Sequence, residues 1–142
     1  MIHTAVNKHS HAWGFKSVSF WLASLVAIGI IYIGINGIMH PADAAAGFGV
    51  PLHNDNDFAF VRIKAVRDIV SGLLAIAFLL LKRRREFSIL FLILALIPIG
   101  DFLVVLLTGD HQILHLAIHG GTALYMFIVG GLLYWQSTRY DR

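Results

Sequence analysis

Cysteine is absent from this chain of 142 residues, which excludes disulfides, thiolate metal ligands and cysteine nucleophiles and leaves its redox compartment unread. Charge is scarce as well. Asp, Glu, Lys and Arg make up 13% of residues and hydrophobic residues 58%, against about 25% charged in an ordinary soluble domain. Proline occurs three times, so long helices can run uninterrupted. No repeat or low-complexity tract is evident. A soluble globular core is therefore a poor account of the composition.

The apolar residues fall instead in four long blocks. Val18–Met39 carries no charge and reaches about 33 Å as a helix, enough to cross a hydrocarbon core of about 30 Å. Residues 58–81 form a second block, interrupted by Arg62, Lys64, Arg67 and Asp68. A third, 87–107, is broken only by Pro98 and Asp101, and the fourth covers 112–135. The first block is longer than the core of a cleaved signal, about 7–15 residues, so it is expected to stay in the mature protein. These blocks predict an all-α integral membrane protein, an up-down four-helix bundle over residues 17–136. Polar tails at 1–16 and 137–142 flank it.

Orientation follows from the basic residues. Lys8, Lys16, Lys82, Arg83, Arg84, Arg85, Arg139 and Arg142, eight of the eleven, would lie at one end of such a bundle, with Asp43, Asp55, Asp57 and Asp110 at the other. Both termini are thus expected in the cytoplasm, as in a bacterial inner membrane or its equivalent. The loops 40–57 and 108–111 then face outward. The net charge of +3 comes from these flanks, not from a basic soluble surface, so nucleic acid is not an expected partner. Pro41 should end the first span at His40. Phe48, Val50 and Leu52 make residues 42–57 too apolar for a solvated linker, so this loop is expected to cover the outer mouth as a lid. Trp13, Trp21, Tyr134 and Trp135 read as anchors at the membrane–water interface. His3, His9 and His11 are too loosely spaced for a metal site.

Arg67, Asp101 and His119 lie inside three different blocks, where an Arg or Asp at the centre of a span costs roughly 2.5–3.5 kcal/mol. Counted from the expected outer boundary, each lies about 9–10 Å deep, in one layer. Asn36 and His115 lie nearer the mouth. Lys64, Arg67, Asp68, Ser71 and Gly72 follow helical spacing on one stripe, as do His111, His115, His119, Thr122 and Met126. Pro98 takes a donor from the Leu94 carbonyl one turn before Asp101 and can bend the third span. Asp101 and His119 suit a general acid/base pair and Arg67 an oxygen or carboxylate anchor, with Asn36, Asp68, Ser71 and His115 around the bound molecule. Asp68 can equally be a local partner of Lys64 or Arg67. His115 and His119 have the spacing of two metal ligands, with Asp101 as a third. Metal, or a haem between His40 and His115, stays a minor alternative, and no cofactor is expected. Gly120, Gly121, Gly130 and Gly131 allow close helix approach, within the bundle or in a homo-oligomer.

The runs Gly37-Ile-Met-His-Pro, Ala46-Gly-Phe-Gly-Val-Pro51, Arg67-Asp68-Ile-Val-Ser-Gly72 and Ile97-Pro-Ile-Gly-Asp101, followed by His119, resemble a family of small four-helix membrane proteins known as a domain of unknown function and distantly similar to the DoxX group. The resemblance spans about Ile33 to Leu132. It implies that Arg67, Asp68, Asp101 and His119 are signature polar positions, without naming a reaction. The expected function is a buried polar pocket in the non-cytoplasmic half, taking a small lipophilic molecule and acting on it by acid/base chemistry of isomerase or hydrolase type. Membrane lipids surround it. The alternatives are a proton-coupled transporter component, for which the inner half lacks a polar path, and a structural subunit whose polar layer is only an ion-pair network. Whether the chain is an enzyme is left open by its residues.

Overall fold

A computed structural model describes residues 13–50, 52, 54–108 and 112–140, and every regular element among them is helical. These are α1 (Val18–Met39), α2 (Pro41–Phe48), a 3₁₀ turn (Asp55–Asp57), α3 (Phe58–Leu80), α4 (Arg84–Leu94), α5 (Leu96–Thr108) and α6 (Ile113–Tyr140). The expected four helices are thus six segments. The third block is split at Ala95, where the chain makes a turn three residues before Pro98. Without an N–H, Pro98 cannot bond the Leu94 carbonyl, which would have carried the helix through. The loop after α1 contains a further helix. Pro41 occupies its first turn, where a missing donor costs nothing, and Gly49 ends it at φ 89°, the left-handed conformation glycine adopts without strain.

Two antiparallel pairs make the bundle. In the first, α1 lies against α3 through small residues. A Cβ on Gly34 would stand 2.6 Å from the Ala65 carbonyl oxygen, and one on Gly72 would stand 2.8 Å from that of Ala27. In the second, α4 and α5 lie along α6, with Gly130 against Leu92 and Gly120 against Phe102. Gly121 and Gly131 have nothing near them, so only half of the four-glycine set serves packing within the bundle. The pairs meet at the end that carries Lys16, the Lys82–Arg85 connection and Arg139. There Phe20, Leu79, Phe87, Phe91, Met126 and Leu133 form the core. Ser19 donates to Gln136 Oε1 (3.1 Å), and the Tyr125 hydroxyl donates to the Leu22 carbonyl (3.1 Å), tying α1 to α6. Glu86 accepts a hydrogen bond from Arg83 Nε (2.9 Å), and that bond with its charge raises the Arg83 pKa above the usual value. The connection therefore stays basic at any accessible pH.

Trp13 corrects its assignment as an interface anchor. It is 3% exposed, packs edge-on to Phe20 and beside Phe87, and donates to Ser19 Oγ (3.2 Å). The end of the expected polar tail thus closes the core, while Trp21, Tyr134 and Trp135 stay exposed. His3, His9 and His11 lie outside the described residues, as do Asp110 and His111, so the fourth-span stripe is described from His115 onward.

Three helical stretches are long and apolar enough to cross a membrane: Val18–Met39, Arg84–Thr108 and Ile113–Arg139. Much of their outward surface is Ile, Leu and Val, which hydrocarbon solvates and water does not. The chain is an integral membrane protein. Contrary to the four expected, α3 is not among these stretches. It is 23 residues long, but Arg62, Lys64, Arg67 and Asp68 fall in its first half, and the last three of these belong to the site.

Candidate functional site

On α3, Lys64 and Asp68 are four residues apart and so on one face. The Lys64 ammonium donates to Asp68 Oδ2 at 2.6 Å, and Arg67 Nη2 reaches Asp68 Oδ1 at 3.3 Å. Asp68 is 3% exposed, and the two cations beside it offset the cost of burying its charge. The break before Pro98 starts α5, which carries Asp101 toward the same cations. Its carboxylate lies 3.8 Å from Arg67 Nη2 and 3.9 Å from Lys64 Nζ. Both distances exceed a hydrogen bond. The structure thus brings Arg67, Asp68 and Asp101 together; the layer expected from depth was Arg67, Asp101 and His119.

His119 is held differently. Its Nε2 is 3.1 Å from the Phe48 carbonyl oxygen, and the two rings lie 4.6 Å apart. No hydrogen bond joins His119 to Asp101 among the described residues, so the expected acid/base pair is not in direct contact. Phe48 also presents its ring to the Lys64 ammonium at 5.0 Å, within the reach of a cation–π contact. One residue at the end of α2 thus touches both α3 and α6. His115 packs on the chain beside it: a Cβ on Gly49 would stand 2.7 Å from His115 Nδ1. Only glycine fits there.

Lys64, Asp68, Asp101, His119 and Phe48, but not His115, border a cavity of about 1100 Å³ between the two helix pairs, just above the usual range for small-molecule sites. Lys64, Asp68, Ser71, Asp101, His119 and Asn36 line it near the α2 end, and Ala75, Phe91, Leu94, Tyr125 and Met126 line its apolar remainder. Arg67 does not line it. Its side chain is 47% exposed and supports the carboxylates from the flank. The Ser71 hydroxyl donates to the Arg67 carbonyl (2.8 Å), which leaves its lone pairs for the cavity. Leu25, Tyr32 and Ile33 on α1 and Ile118 on α6 line the cavity and are exposed. The cavity is thus open along the apolar flank between α1 and α6, beyond the point where Tyr125 joins them. Toward the basic end it stops at the packed core.

Lys64, Phe48 and Tyr125 were absent from the expected site. Lys64 had a signal, its spacing four residues before Asp68. Phe48 had one as part of the apolar loop expected to act as a lid, and Tyr125 had none beyond being aromatic. Among the described residues no group of three or more His, Asp or Glu is arranged to hold a metal ion. Of the residues considered as ligands, His119 and Asp101 have the partners given above.

Residues 27–133 match the model of the family described as Domain of unknown function (DUF4267). The chain belongs to this family. The matched span includes the whole charged cluster, α2 and nearly all the cavity, and excludes Trp13 and the termini. No curated protein and no solved structure matches the chain.

Proposed function

We propose that this membrane protein binds a small lipophilic molecule in the cavity between its helix pairs, with Asp101 and Lys64 as its polar anchor and the segment α2–Gly49 as its lid. One observation carries the reading. A cavity of about 1100 Å³ has a mostly apolar lining and a charged cluster at one end, which is the usual make-up of a ligand site and an expensive way to fix helix register. The geometry supports binding ahead of acid/base turnover, because Asp101 and His119 share no hydrogen bond. Asp101 is then the group able to exchange a proton with a bound molecule, and His119 holds the lid. Passage of a solute through the bundle has less support, since the core closes the basic end.

Native mass spectrometry of the detergent-purified protein tests this. Gly121 lines the cavity and a Cβ there meets nothing within 4 Å, so Gly121→Phe fills the mouth without disturbing the helices. Wild type is expected to carry a lipophilic molecule that Gly121→Phe loses and Asp101→Asn holds more weakly, both variants keeping their thermal stability. A wild type that carries nothing, and that takes up no lipid when supplied with one, overturns the reading.

In the same reading α3 is a fourth crossing, because it runs antiparallel to α1 along its length, and both termini are cytoplasmic. The lack of cysteine makes this easy to test. Asn54→Cys should react with a membrane-impermeant maleimide on intact cells and Lys16→Cys only after permeabilisation. The reverse pattern inverts the topology.

A further inference from the structure

We infer that the molecule taken by this cavity is a single-chain lipid with a neutral hydroxyl head, an alcohol rather than a fatty acid, its hydroxyl lodged between Lys64 and Asp101. This rests on the binding reading above and specifies its ligand class. Lys64 and Asp101 both hold unused hydrogen-bonding capacity. Lys64 carries three N–H donors, of which one is directed at Asp68. Asp101 lines the cavity with an 18% exposed side chain and accepts no hydrogen bond from the described residues, its cations standing off at 3.8 and 3.9 Å. An oxygen that accepts from Lys64 and donates to Asp101 satisfies both, and a hydroxyl does both at once. An ester, ketone or ether accepts only.

Charge excludes the other heads. Within the cluster Lys64 and Arg67 match Asp68 and Asp101, two cations against two carboxylates, and Asp57 adds a further carboxylate to the wall. A fatty-acid carboxylate would add an unmatched anion beside Asp101, and an amine would add an unmatched cation beside Lys64, both in a medium that screens poorly. The rest of the cavity sets the tail. From Lys64 to Ala75, both in the wall, α3 rises about 16 Å, and Phe91, Leu94 and Met126 give no polar group along that path. The flank between α1 and α6 lets a chain enter sideways from the bilayer.

The test offers delipidated protein in detergent a long-chain primary alcohol, its methyl ether, the fatty acid of the same length and the matching alkane, and measures each dissociation constant by native mass spectrometry. The alcohol should bind at least about tenfold more tightly than the ether, the loss expected when a hydrogen bond to a charged group goes unmade, and more tightly than the acid or alkane. Asp101→Asn should reduce the alcohol-to-ether ratio severalfold. An ether that matches the alcohol, or an acid that exceeds it, overturns the hydroxyl assignment and leaves the binding reading intact. If none of the four binds, the binding reading itself fails. The wild-type comparison decides the matter even if Asp101→Asn does not fold.

Discussion

Replacing Gly34 and Gly72 together with leucine should abolish the folded protein, whereas Gly131→Leu should melt with wild type. A Cβ on Gly34 would lie 2.6 Å from the Ala65 carbonyl oxygen and 2.6 Å from Ile69 Cγ1, and one on Gly72 would lie 2.5 Å from Ile31 Cγ1 and 2.8 Å from the Ala27 oxygen. A flexible side chain can move aside, but the two backbone oxygens move only if α1 and α3 part. In a bilayer these helices gain little from excluding water, so their association depends on close packing, which is what the larger residues remove. Overpacking at a single site costs about 1–3 kcal/mol, and the two sites lie on one interface and should reinforce each other. Gly131 meets nothing within 4 Å and supplies the control. Size-exclusion profiles and thermal melts in detergent would read the result. A double variant that elutes and melts as wild type would show that α1 and α3 do not pack as described.

Much of this architecture was readable because apolar blocks longer than a bilayer is thick leave few alternatives. The expected boundaries 18–39 and 58–81 match α1 and α3 to within one residue. The break near Pro98 was equally readable, since a missing N–H acts locally. Helix α2 was not read as a helix, although Pro41 and Gly49 are ordinary start and stop signals. The glycines and asparagines further on gave the whole segment the look of a loop. Trp13 was misread because composition cannot tell an aromatic at the membrane surface from one that turns back into the core.

The site shows the same division. Depth along the helices brought Arg67 and Asp101 together correctly, because it depends only on the rise per residue. Facing is less forgiving. At about 100° per residue, Asp68, Ser71 and Ala75 fall within about 40° of Lys64, and all line the cavity. Arg67 falls about 60° to the other side and turns outward. Ranking Arg67 above Lys64 followed from its unusual depth alone. His119 could not be paired correctly without α2, since its partner is the carbonyl of Phe48.

Asp68→Asn and Asp101→Asn should separate folding from binding, although the two carboxylates share the same cations. Asp68 is 3% exposed and bonds Lys64 at 2.6 Å. Its neutralisation leaves a partly buried ammonium whose nearest remaining carboxylate is 3.9 Å away. Breaking a buried pair from one side costs about 3–5 kcal/mol, so Asp68→Asn should melt about 10 °C lower in detergent. Asp101 is more exposed and its pairs are longer, so Asp101→Asn should cost less than about 1 kcal/mol while weakening ligand binding. A double replacement, Lys64→Met with Asp68→Leu, tests the cause. Exchanging a buried pair for apolar residues of similar volume is often neutral or stabilising, so this variant should recover most of the stability that Asp68→Asn loses. It should nevertheless bind no ligand, because Lys64 is half of the anchor. If the double variant stayed as unstable as Asp68→Asn, the cost would lie in shape and not in the stranded charge. If Asp101→Asn proved the more destabilising single change, the roles assigned to the two carboxylates would be reversed.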